Sequence, residues 1–105
     1  MSLQRYNGWA NYATWRVNLE LIDGDNDYWN DLLDQMQEAD PDDVQYEMTQ
    51  AVEEHVQQIL DSYDCGNSLI RSYADAFVSD VSYYEIAKHL IEAHKLEQQY
   101  QAENA

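Results

Sequence analysis

Between Val17 and Ile70 the chain contains not one lysine or arginine. All 105 residues together hold five, against 21 Asp and Glu, for a formal net charge of −16. Like charge repels like, which argues against direct binding to DNA, RNA or an anionic membrane. Cysteine is nearly missing as well. Cys65 stands alone, which excludes an intramolecular disulfide and a cysteine-based zinc cluster. No stretch approaches the ~18 apolar residues of a membrane span, and Met1 to Asn7 lack the apolar segment of a secretory leader. The expectation is a soluble protein of a reducing cytoplasm. One proline and three glycines leave most of the sequence without helix breakers. The length is short of the roughly 200 residues that a barrel enzyme needs.

What is present supports a core. Apolar residues make up 45% and aromatic ones 12%, too many for a disordered acidic tail. No internal repeat, low-complexity tract or dividing linker is visible. The organisation expected is a single acidic helical domain over residues 1–105, with an N-terminal arm at 1–8 and a fraying Gln-rich end at 97–105.

The pattern predicts an all-α fold of about five helices. Asn7-Gly8 reads as a turn, and Asn11 as the cap of a first helix to about Ile22. There Tyr12, Trp15, Leu19 and Ile22 recur at helical spacing, yet Trp15, Val17, Leu19 and Leu21 alternate as in a strand. Helix is preferred because Leu and Glu favour it and no partner strand is visible. After Gly24, Asp25 or Asn26 caps a second helix with Tyr28, Trp29, Leu32, Leu33 and Met36 on one side. Asp40-Pro41-Asp42-Asp43 starts the third: a cap, a proline with its φ already helical, and two acids at the positive end of the dipole. Its apolar stripe is Val44, Met48, Ala51, Val52, Val56, Ile59 and Leu60, and Gly66 closes the segment in a left-handed conformation. Ser68 opens the fourth helix, with Ile70, Tyr73, Phe77 and Val78 inward. Ser82 and Glu85 form a capping box for the fifth, flanked by the staple pair Val81 and Ile86. Lys88, His89, His94 and Lys95 occupy its later half, where cations suit the dipole.

Fifteen acids lie in the segment without a base. A solvated helix ordinarily mixes signs, since Glu–Lys pairs four apart each add a few tenths of a kcal/mol. On the third helix Asp43, Glu47, Glu54 and Asp61 fall within about 40° of one another at 100° per residue. That row is about 27 Å long and faces away from the apolar stripe. A duplex backbone carries one charge per ~3.4 Å on each strand, so such a row can stand in for part of it. Asp31, Asp34 and Glu53 would support it. The alternative is an acidic face that serves solubility.

Chemistry is harder to find. Asp23, Asp25 and Asp27 resemble the start of a calcium loop, but Tyr28 occupies the position that requires glycine and Asp34 the one that requires glutamate. Helix capping accounts for them better. His89 and His94 are five apart, off one helical face. His55 falls in the apolar stripe, as a satisfied, partly buried histidine would. Cys65 has no cationic neighbour in sequence to activate it, and there is no glycine-rich phosphate loop. Five cations would clamp an anionic substrate poorly. The expectation is no enzyme, no cofactor and no metal. Arg16 and Arg71 are expected to pair with acids inside the fold. Tyr6, Trp9, Tyr63 and one of Tyr83 or Tyr84 are hard to bury in so small a domain, and amphipathic rings beside acids suit protein interfaces. Trp9 and Tyr83 are therefore taken as contact residues.

Two stretches, "NGWANYATWRVNLELIDGDND" followed by "YW", and "YADAFVSDVSYYEIAKHLIE", resemble a family of small acidic proteins of bacteriophages, plasmids and bacterial mobile regions. The resemblance spans Asn7 to Glu92. It is carried by Asn11, Tyr12, Thr14 and Trp15 and by Tyr84, Glu85, Ile86, Ala87, His89 and Leu90. It implies a mobile-element context and brings no activity or binding residues with it. Small acidic phage proteins of the antirestriction and anti-CRISPR kind occupy the DNA groove of defence enzymes, an analogy of character only. The functional expectation is a non-enzymatic inhibitor that binds a basic host DNA-binding or nuclease protein through Asp43, Glu47, Glu54 and Asp61. Self-association into a homodimer is left open. The competing reading is a small helical adaptor or regulator whose contact surface is aromatic.

Overall fold

A computed structural model gives the structure of residues 6–63, 66 and 68–103; expectations that fall on Arg5, Asp64 and Cys65 lie outside the described residues. The chain enters through a tight turn. Tyr6 and Trp9 exchange both backbone hydrogen bonds at 2.8 Å, with Asn7 at φ 49° and Gly8 at φ 87° between them. Positive φ at both central residues is the geometry that Asn-Gly tolerates best.

Five α-helices follow among the described residues, and no named strand: α1 Tyr12–Val17, α2 Asn26–Asp34, α3 Pro41–Ser62, α4 Ser68–Val78 and α5 Tyr83–Glu103. Asn11 caps α1 as expected, its side-chain oxygen accepting from Thr14 N at 2.8 Å. The segment Thr14 to Ile22 is helical, but its last five residues, Asn18–Ile22, form a π turn. The Asp23 N–H reaches back five residues to Asn18 O. That wider turn brings Ile22 to the side of Val17, so the buried set is Ala13, Thr14, Val17 and Ile22. Tyr12 and Leu19, expected inward from a regular 3.6 period, are exposed instead. The indole N–H of Trp29 then donates to Ile22 O at 3.1 Å, inside the core.

α3 matches its predicted stripe. Met48, Val52 and Val56 are fully buried, each side chain contributing roughly 1.5–3 kcal/mol of burial. Val44, Ala51 and Leu60 pack partly buried at the edge of the core. Pro41 takes the first helical position, but the Asp40 side chain makes no capping bond. The stripe meets Ile86, Ala87 and Leu90 of α5, the main helix pair of the fold. α2 adds Trp29 and Leu33, while Tyr28 points out and stacks over His55 at 5.8 Å. His55 is partly buried, as expected, but its Nε2 has no hydrogen bond; Asp25 Oδ2 lies 3.5 Å away.

Two departures concern the C-terminal half. Of the four α4 residues expected inward only Val78 is buried; Ile70, Tyr73 and Phe77 face solvent. Arg71 reaches Asp61 near the end of α3 and Asp75 on its own helix, both at 2.9 Å, which turns the polar edge of α4 toward the body. α5 also continues to Glu103 instead of fraying after Leu96. Its second half is tied down by α2, through Asp34 to His94 at 2.8 Å and Asn30 to Glu97 at 3.3 Å. Lys88, His89, His94 and Lys95 are consequently mid-helix residues, and the last turn of α5 carries no base.

Candidate acidic interface

Every acid described between Val17 and Ile70 is exposed at the surface. The row on α3 exists in three dimensions because that helix is regular over 22 residues and buries only its opposite face. Asp43, Glu47 and Glu54 stand on the outer side, with Gln50 exposed between them and Glu53 at the flank. Asp42 and Asp43 are held in the first turn, where the helix dipole favours negative charge. No base lies within 4 Å of these carboxylates among the described residues.

Asp61, the fourth member of the predicted row, is differently placed. Its carboxylate holds Arg71, whose guanidinium pKa is raised by hydrogen bonds to Asp75 first and Asp61 second. Part of its charge is thereby cancelled, and the unneutralised row shortens to Asp43 through Glu54, about 16 Å of helix. The sequence alone hides this, since Arg71 is ten residues away and on another helix. Arg16 likewise pairs with Glu20 and donates from its guanidinium to the Tyr12 hydroxyl at 2.7 Å. Of the supporting acids, Asp31 and Glu53 are exposed. Asp34 is exposed too, but one oxygen is committed to His94.

The aromatic contact residues are rearranged. Trp9 and Tyr83 are both half-buried against the core, so neither is a projecting anchor. Trp9 lies edge-on to His89 at 5.0 Å between ring centres. The Tyr83 hydroxyl is buried with no hydrogen bond. Burial, and then the charge of Glu53, push its pKa above the usual tyrosine value, and nearby Gln57 offsets a part. Tyr84 is the exposed member of that pair. A residue that sequence reasoning passed over is Tyr46, exposed one turn along from Asp42 and Asp43. Its position on α3, about 60° from the acid row, was readable from the helical wheel.

The two segments that carry the family resemblance meet around one polar network. Thr14 is fully buried; its hydroxyl donates to Asn11 Oδ1 at 2.7 Å and accepts from Ser82 N at 2.9 Å. Asn11 Nδ2 donates to Asp80 O, and Ala10 N to Glu85 Oε1. Ser82 Oγ accepts from Glu85 N at 3.2 Å, which is one half of the expected capping box. The Ser82 N–H, the donor that the other half would satisfy, goes to Thr14. The network joins the starts of α1 and α5 and gives Asn11, Thr14 and Glu85 a role in folding.

Among the described residues no three His, Cys, Asp or Glu converge to hold a metal ion, and no helix is long and apolar enough to cross a membrane. No curated protein and no solved structure matches the chain. Residues 2–103, nearly its whole length, match the family of unknown function DUF7249, and the chain belongs to that family.

Proposed function

We propose that the protein is a non-enzymatic inhibitor, encoded by a phage or other mobile element, that binds a basic host DNA-binding or nuclease protein by mimicking DNA charge. The observation that carries this reading is the exposed, base-free row of Asp43, Glu47 and Glu54 on the outer face of α3. A rigid helix presents those carboxylates with no rearrangement at the moment of binding, and charge steering would speed encounter with a basic groove. Tyr46, exposed beside the row, adds an amphipathic ring of the kind that anchors interfaces.

The test is capture from bacterial lysate, with elution along a salt gradient and with excess duplex DNA as competitor. The reading expects a nucleic-acid-binding protein displaced by both. A captured partner that stays bound through both favours the adaptor reading, in which acidity serves solubility. A specific observation supports that second reading: Tyr28, Tyr46, Tyr63 and Tyr84 are all exposed.

A further inference from the structure

α4 is amphipathic the wrong way round for a monomer. Leu69 is 61% exposed, Ile70 58%, Tyr73 70% and Phe77 39%, and Ala76 beside them is exposed as well. At 100° per residue these five share an arc of about 120° centred on Tyr73. The only charged residues of the helix, Arg71 and Asp75, lie on the far side, about 160° from Tyr73 in either direction, and bind each other. The exposed face of α4 itself, over Leu69, Ile70, Tyr73, Ala76 and Phe77, therefore carries no charged side chain, in a chain of −16. Tyr12 of α1 extends it, its ring edge-on to Phe77 at 6.3 Å, with Tyr6 and Trp15 packed behind at 5.1 and 5.7 Å from Tyr12.

From this we infer that the α4 face binds a second copy of the chain, antiparallel, across a two-fold axis near Tyr73. Contiguous exposed apolar surface of this kind marks an interface. Charge selects the occupant. A basic partner drawn by the acid row gains nothing electrostatic from an uncharged face. A second copy, repelled almost everywhere else on the molecule, meets no repulsion on this face. The pattern is also self-complementary. The two bulky residues Leu69 and Phe77 sit four positions either side of Tyr73, so an antiparallel pair sets Leu69 of each copy against Phe77 of the other. That is the isologous contact of a two-fold dimer. A helix pair alone is a small interface, and the Tyr12 and Tyr6 rings widen it.

Sedimentation velocity of the full chain between about 0.05 and 0.5 M salt tests this. The expected result is a reversible dimer that tightens as salt screens the two acidic bodies, opposite in sign to the salt response of the acid row. Tyr73→Asp should weaken it by at least about tenfold by placing two carboxylates at the axis, and Ala76→Glu at the rim should weaken it less. Circular dichroism of each variant should keep the wild-type helicity, both positions being exposed. A chain that stays monomeric throughout, a dimer that neither substitution weakens, or a dimer that salt dissolves overturns the inference. The acid-row variants should dimerise as the wild type does, so failure here is separable from failure of the proposed function.

Discussion

At the scale of single residues, Thr14 shows how little polar chemistry the core admits and how completely it is used. One buried hydroxyl serves both Asn11, three residues before it, and Ser82, 68 residues after it. Thr14→Val keeps the shape and leaves the Ser82 N–H without its acceptor, so urea denaturation should show a loss of about 1–3 kcal/mol. Thr14→Ser, which retains the hydroxyl, should lose less. Tyr83 predicts a pH effect. Its raised pKa means that the fold favours the neutral phenol. The stability this supplies is complete below the unfolded-state value of about 10 and is lost as pH rises through the higher folded value. Stability measured from pH 9 upward should fall more steeply in the wild type than in Tyr83→Phe, and the two should be similar at pH 7. Asp61 separates stability from binding: Asp61→Asn should loosen the join between α3 and α4 while leaving partner affinity within about twofold, because Arg71 already engages that carboxylate.

At the scale of elements, the π turn decides which face of the first helical segment is inside. Ile22→Ala should cost about 2–5 kcal/mol, as a fully buried side chain does, whereas Leu19→Ala should stay within about 0.5 kcal/mol. A regular helix with Tyr12, Trp15, Leu19 and Ile22 all inward would make both substitutions costly, and thermal or urea unfolding of the Leu19 variant distinguishes the two. α3 was legible in detail because its start signal and apolar stripe are local. The same holds for the Asn7-Gly8 turn and the Asn11 cap. What could not be read was settled by distant partners. An inserted residue in the turn at Asn18–Ile22 leaves no mark on a 3.6-residue pattern. The outward face of α4 follows from Arg71 reaching Asp61, and the persistence of α5 to Glu103 from its ties to α2. For α4 periodicity gave the apolar face correctly, and tertiary contact decided where that face points.

At the scale of the whole molecule, the base-free acid row of α3 and the uncharged exposed face of α4 lie on different helices. The carboxylates of α3 are exposed along a helix that is stable without neutralising bases, since its other face is among the best-packed surfaces of the fold. Of the acidic residues expected from sequence to form the interface, Asp43, Glu47, Glu54, Asp31 and Glu53 are exposed. Asp61 is drawn into an ion pair with Arg71 and Asp34 into a hydrogen bond with His94, and Trp9 and Tyr83 into the edge of the core. Pairing and half-burial across distant segments have no local signature, so these four placements were not legible in the sequence. The acid row makes the central claim directly testable: the affinity of the captured partner for the wild type and for the combined variant Asp43→Asn, Glu47→Gln, Glu54→Gln, measured at two salt concentrations. The account predicts that the variant keeps its circular dichroism spectrum and loses at least about a hundredfold in affinity, and that the wild type weakens steeply with salt. Equal affinity of the two proteins, with no salt dependence, would contradict it.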